Sequence, residues 1–159
     1  MNPVNRRAFL DMIALSELGQ ALLQVSDHGY DVIVGSTAVH PILMSTYADH
    51  PRRVMNFTVN GKTIQSTAAG RYQLLARYFD HYRDLLHLND FSPAAQDEIA
   101  LQQIRECDAL PLIDQGEIAA AIRQVRHLWA SMPGAGYGQH EHAITDLQAA
   151  YLQAGGQWA

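Results

Sequence analysis

The sequence predicts an α+β fold, a small antiparallel sheet lobe and a larger helical lobe with a cleft between them. Two observations carry this expectation. The apolar period is helical near the N-terminus, changes to alternation between about residues 25 and 66, and returns to helical spacing from 67 onward. Within the middle stretch, Asn60-Gly61 separates two alternating runs, which is the strongest short-range signal of a hairpin. At 159 residues and 48% hydrophobic, the chain suits a single domain with a real core, its sheet lobe at about 25–66 and its helical lobe at 1–24 and 67–159.

The elements follow in order. Asn2-Pro3 reads as an N-cap with proline at the first helical position. Phe9, Met12, Ile13 and Ser16 keep helical spacing, and Gly19 is a stop signal. Leu18 to Val25 fits either a prolonged helix or a loop. Tyr30 to Val34 reads as a strand ended by Gly35-Ser36. Thr37 to Met44, with Pro41 inside it, reads as a loop over the sheet. Val54 to Val59 and Lys62 to Ser66 are the hairpin strands. Beyond Ser66 the pattern is helical, with an apolar stripe at Leu74, Leu75, Tyr78, Phe79, Tyr82, Leu85 and Leu86. Ser92-Pro93 caps the next helix, through Ile99 and Ile104. Asp114 to Glu117 has capping-box spacing ahead of Ile118, Ile122, Val125 and Trp129. A last helix runs from Ala143-Ile144 to Tyr151 and ends at Gly155-Gly156.

Composition excludes several classes. Net charge is −5 with one lysine, Lys62, which disfavours a nucleic-acid partner; Arg6-Arg7 and Arg52-Arg53 read as solvated surface. One cysteine, Cys107, excludes an internal disulfide and reads as a buried thiol. The N-terminus has no signal-peptide pattern, and no stretch nears the roughly 20 apolar residues of a membrane span, so no membrane insertion is expected. Pairs such as His28 with Asp31, Asp49 with His50, or His140 with His142 lack metal-site spacing, so no metal and no cofactor are expected.

The chemistry centres on Glu17. A carboxyl group at a helix C-terminus meets the negative end of the macrodipole, and burial pushes the same way, so its protonated form persists toward neutral pH. A general acid for glycosidic cleavage needs this property. Two further segments have binding character. Ser66 to Gln73 places small residues at an expected helix start, where Gly70 permits close approach, Tyr72 offers a stacking face and Gln73 both donates and accepts. Pro133 to Gln139 holds three glycines around Tyr137, as a loop with special backbone angles does. Asp27, Asp31 and Asp49 are candidates for a second carboxylate.

These motifs resemble the lambda-type phage endolysins, a family of peptidoglycan lytic transglycosylases with a lysozyme-like fold. The likeness runs through Arg7 to Met12, Ser16-Glu17, His28 to Gly35, Tyr47 to Arg52 and Ser66 to Leu75. It continues at Asp90 to Pro93, Ala100 to Ile104, Ala109 to Pro111 and Trp129 to Gln139, nearly the whole chain. More distantly, Gly70 to Gln73 is similar to the Gly-Leu-Met-Gln motif of bacterial lytic transglycosylases, and Gly136 to Gly138 to their Ala-Tyr-Asn motif. Two segments depart from the family. Leu18-Gly19 stand where it typically has Gly-Thr, and Ser36 to Thr46 is longer and more apolar.

The resemblance implies that Glu17 is the catalytic acid and base, and that Asp31, Gly70, Tyr72, Gln73, Tyr137 and Gln139 contact the glycan. It implies cleavage of the bond between N-acetylmuramic acid and N-acetylglucosamine with a 1,6-anhydro product. The enzyme would be a monomer that stays in the host bacterial cytoplasm until a holin opens the way to the wall. A hydrolytic muramidase, with Asp31 or Asp27 positioning water, and a non-catalytic murein-binding relic are the alternatives. Val39, Ile42, Leu43 and Met44 suggest a flap on the sheet lobe, opposite the Tyr137 loop, its apolar side chains covered.

Overall fold

A computed structural model describes residues 1–137 and 140–159, with the backbone alone at Val59. Among them are seven helices and one two-stranded antiparallel sheet. The chain divides into two compact units, Met1–Glu17 with Ala100–Ala159, and Leu18–Ile99.

The first unit is helical. Helix α1, Pro3–Leu18, begins as its capping residues dictate: Asn5 N–H donates to Asn2 Oδ1 at 3.1 Å and Pro3 takes the first turn. Its buried residues include Ala8, Phe9, Met12, Ile13 and Ser16, while Arg7 and Asp11 pair at 3.2 Å on the outer face. It ends where Gly19 takes φ +75°. Buried Asn5 ties this helix to distant backbone, donating to the carbonyl of Ile113 at 3.0 Å and accepting Gln157 N–H at 2.9 Å. Helices α5 (Leu110–Gln115), α6 (Ile118–Val125) and α7 (Ile144–Gln153) complete the unit with the C-terminal half of α4 (Pro93–Glu106). Ile104, Ile113, Ile122, Val125, Met132 and Tyr151 are buried to 1% exposure or less.

Three expectations for this unit need correction. Asp114 does not cap α6. It lies in the last turn of α5, where its carboxylate accepts Arg6 at 2.8 and 2.7 Å and Asn2 N–H at 2.9 Å. A bidentate guanidinium outcompetes a local amide, and α6 starts with no side-chain cap. Arg6 is accordingly only 18% exposed, not solvated surface. Cys107 follows α4 and is partly exposed, 3.8 Å from His127 Nε2, because the helix ends at Glu106 before the chain turns through Asp108 at φ +56°.

The second unit holds a short helix, α2 (Gln20–Gln24), the hairpin and α3 (Ala76–Leu86). Strands β1 (Met55–Val59) and β2 (Lys62–Ser66) pair from Met55↔Ser66 to Val59↔Lys62. Asn60 and Gly61 both take positive φ, 50° and 75°, as a two-residue hairpin turn of type I′ requires. The core is Ala69, Leu74, Phe79, Tyr82, Phe91 and Ile99, with Met44, Leu86 and Leu88 packed on it. Phe79 and Phe91 stack edge to face at 5.0 Å, and both are fully buried, so truncating either to alanine costs about 3–5 kcal/mol.

Tyr30 to Val34 is not a strand. Its partners change residue by residue: Met44 N–H donates to Asp31 O at 2.7 Å, Ile33 N–H to Ile42 O at 2.9 Å, and Val34 N–H to Ala68 O at 3.0 Å. Only isolated bridges result, Val32↔Leu43 and Ile33↔Ala69, in a stretch flanked by Gly29 and Gly35 at φ +90° and +89°. Ser66 to Leu75 is not helical either; Ala69 and Leu74 bridge to close a turn, and α3 starts at Ala76. The Val39–Met44 segment does not cover its apolar side chains as a set. Val39 is 79% exposed, whereas Met44 joins the core, because Ser36 Oγ pins the loop to Ile33 and Ile42 and leaves its tip outside.

Candidate active site

Glu17 occupies the last turn of α1 and is partly buried. Its Oε1 accepts the hydroxyl of Ser131, which in turn accepts the hydroxyl of Ser16 at 2.8 Å. Next to this pair, His142 donates its main-chain N–H to Ser131 O at 3.0 Å and its Nε2–H to Ser16 O at 3.2 Å. Burial raises the Glu17 carboxyl above the ordinary carboxylate range; the hydroxyl and main-chain N–H of Ser131 pull the other way and lose. The result is an oriented carboxylic acid, held by one donor and able to release a proton. The sequence supplies Glu17, but Ser131, Ser16 and His142 went unnoticed as its partners. The signal for Ser131 was its place two residues before Pro133-Gly134.

Tyr137 belongs to the same unit and is 59% exposed. Its hydroxyl donates to His127 O at 2.7 Å. The loop before it turns through Gly134 and Gly136 at φ +75° and +79°. Glu141 closes that loop: its two oxygens accept Gly136 N–H at 2.9 Å and Gly134 N–H at 2.7 Å, which hold its carboxyl below the ordinary range. Gln139, expected to touch the glycan, lies outside the described residues, as does Gly138.

The remaining candidates are in the second unit. Asp31 is partly exposed, and one of its oxygens accepts Asp27 N–H at 2.9 Å. Asp27 is engaged by the hydroxyl of Tyr47 at 2.6 Å. Gly70, Tyr72 and Gln73 share the tight turn closed by Ala69 and Leu74. Gly70 O accepts both the main-chain N–H of Gln73 at 3.2 Å and its side-chain Nε2–H at 2.9 Å, and Gln73 takes φ +49°. Tyr72 differs from expectation. It is 5% exposed and gives its hydroxyl to Asp97 at 2.5 Å, so its ring has no open face on which a sugar stacks. Asp49 is taken up by Arg52, which holds its carboxyl down. Among the described residues, no three His, Cys, Asp or Glu side chains stand close enough to hold a metal ion.

Comparison with known proteins gives a consistent picture. The protein-family model described as Endolysin matches residues 7–158. The endolysin of Escherichia phage lambda is 52% identical over 152 residues, 95% of this chain and 91% of that protein. The endolysin of Escherichia phage P2 is 46% identical over 156 residues, covering 96% and 93%. Among solved structures, bacteriophage lambda lysozyme complexed with a chitohexasaccharide superposes with a TM-score of 0.88 at 50% identity, over 100% of this chain and 99% of that one. A second structure of lysozyme from bacteriophage lambda gives 0.84 at 49% identity, with the same coverage.

Proposed function

The chain belongs to the endolysin family and has its lysozyme-like α+β fold, and on that premise we propose that it degrades peptidoglycan as a lytic transglycosylase for host lysis. The bond cut is the β-1,4 link between N-acetylmuramic acid and N-acetylglucosamine. One observation carries the reading: a single carboxyl at the end of α1, raised in pKa by burial and oriented by Ser131. Protonated Glu17 gives its proton to the glycosidic oxygen as the bond to C1 breaks. The carboxylate left behind takes the proton of the muramic C6 hydroxyl, whose oxygen bonds to C1 and closes the 1,6-anhydro ring. Glu17 ends protonated, no water is consumed, and the substrate supplies its own nucleophile at high effective concentration.

Asp31, Gly70, Gln73, Tyr137 and Gln139 contact the glycan in this reading. Tyr72 serves from beneath the turn, through Asp97, instead of stacking on a sugar. The chitohexasaccharide bound by the related phage lysozyme supports an amino-sugar strand as ligand. We read the 159 residues as one catalytic domain acting as a monomer. No helix among the described residues is long and apolar enough to cross a membrane, which fits an enzyme that waits in the host cytoplasm for a holin.

The test is mass spectrometry of the fragments released from purified sacculi. Anhydromuramic ends, each one water lighter than the hydrolytic product, are the expected result. Reducing muramic ends would make the enzyme a hydrolase and return Asp31 or Asp27 to a catalytic role. No release at all from intact, folded protein would leave only wall binding.

A further inference from the structure

Two consecutive residues of α4, Gln96 and Asp97, hold both segments of the second unit that carry candidate glycan contacts. Gln96 is 3% exposed and spends its whole amide on backbone. Its Oε1 accepts Arg71 N–H at 2.9 Å, and its Nε2 donates to the carbonyls of Tyr30 at 3.0 Å and Phe91 at 2.9 Å. Asp97 accepts the Tyr30 hydroxyl on both oxygens, at 2.9 and 3.1 Å, and the Tyr72 hydroxyl at 2.5 Å. The Arg71 guanidinium lies 5.0 Å over the Tyr30 ring and donates to His28 O. The stretch from His28 to Asp31 is thus locked to the turn from Gly70 to Gln73 through one amide, one carboxylate and two phenols.

Two facts separate this cluster from ordinary core. A carboxylate and an amide taken out of water lose hydration, and apolar side chains of similar size fill space without that loss. A fully bonded polar network does something packing does not: it fixes backbone orientation. The turn itself is shaped to the clamp. A Cβ at Gly70 would lie 2.3 Å from Gln96 Oε1, and φ there is +79°, so only glycine fits. Burial and the Asp97 charge push the Tyr72 phenol well above its ordinary range, which keeps it a donor. The groups that reach solvent from the clamped segments are polar, Gln73 and Asp31, both partly exposed.

We propose that Gln96 and Asp97 are positioning residues for glycan binding, setting the orientation in which Gln73 and Asp31 meet the sugar. This rests on the reading of the Gly70–Gln73 turn as a glycan contact.

The experiment is steady-state kinetics on soluble, uncrosslinked glycan strands, with KM and kcat separated and thermal melting followed in parallel. Tyr72→Phe keeps the ring and removes one clamp bond; Asp97→Ala removes the carboxylate; Asp97→Asn keeps a carbonyl acceptor. Gln73→Ala removes a proposed contact directly. Asp97→Ala is expected to raise KM roughly 10-fold or more, with kcat little changed, since misplacement by an ångström is that costly. Asp97→Asn should recover part of the loss, and Tyr72→Phe added to Asp97→Ala should cost little more than Asp97→Ala alone. If Gln73→Ala raises KM while Tyr72→Phe and the Asp97 variants only lower the melting temperature, the positioning role is wrong and the glycan role of the turn stands. If Gln73→Ala leaves KM unmoved, the turn is not a glycan contact and the proposal goes with it.

Discussion

Ser131 donates its hydroxyl to Glu17 Oε1 across 114 positions of sequence, and Ser16 donates to Ser131 in turn at 2.8 Å. The carboxyl that the sequence marks as the acid is therefore neither free nor paired with a cation. It is oriented by a neutral donor, which fixes geometry without stabilising the anion as an arginine would.

Replacing Glu17 with glutamine should abolish lysis and raise stability together. Its folded pKa lies above the unfolded value of 4.5, because burial disfavours the charged form. The group's favourable contribution is thus fully present below that value and is lost as pH rises through the raised folded pKa. At pH 7 the wild type carries a buried charge that glutamine removes. Melting temperatures of the two proteins should converge toward pH 4 and separate toward neutrality, the variant higher. A variant less stable at every pH would contradict the burial argument.

Ser131→Ala tests the partner. Its hydrogen bonds lower the Glu17 pKa against burial, so their loss raises it further. The alkaline limb of the activity profile should move to higher pH, since the acid stays protonated longer. Ser16 also loses the acceptor for its hydroxyl, a cost of about 1 kcal/mol in stability. A pH profile unchanged from wild type would show that another group sets the limb.

His50 predicts an acid-side weakness. It is 2% exposed, and its bond pattern requires one neutral tautomer: Nε2–H donates to Leu74 O at 2.9 Å, while Nδ1 accepts Arg52 N–H at 3.0 Å. Protonating Nδ1 would set two donors face to face. Burial foremost, then the neighbouring Arg52 charge, holds its pKa below 6.5. The unfolded chain therefore binds this proton first, and stability present above about pH 6.5 falls as pH drops through the depressed value. Replacing His50 with glutamine should flatten that limb in a melting-temperature series from pH 4 to 8.

The parts of this molecule that were legible in the sequence are those whose cause is local. Asn60-Gly61 announces its hairpin because a two-residue turn needs positive φ at both positions. Asn2, Pro3 and Gly19 bound α1 because caps act within a turn. The failures share the opposite property. Tyr30 to Val34 has a strand's composition, but its partners at 42, 44, 68 and 70 alternate, and no local pattern encodes that. Asp114 has capping-box spacing, yet Arg6, 108 positions away, takes its carboxylate. Tyr72 reads as a stacking surface until Asp97 claims its hydroxyl. Glu17 was legible, whereas the serine that aims it was not.

Glu141 offers a test confined to the Tyr137 loop. Its two oxygens hold the N–H groups of Gly136 and Gly134, the backbone immediately before Tyr137. Both bonds favour the ionised carboxyl, so its pKa lies below 4.5 and its contribution, present above that value, fades as pH falls through the lowered one. The loop has little else to shape it, with glycines at positive φ on either side of Ala135. Glu141→Ala should leave melting temperature at pH 7 nearly unchanged, because an exposed loop opens at little cost to the rest of the unit. Activity should fall, with the loss in KM, since Tyr137 would meet the glycan from a disordered loop. Glu141→Gln retains one acceptor and should lie between. Equal activity in all three proteins would show that the loop's shape does not matter to substrate, and Tyr137 would leave the list of contacts.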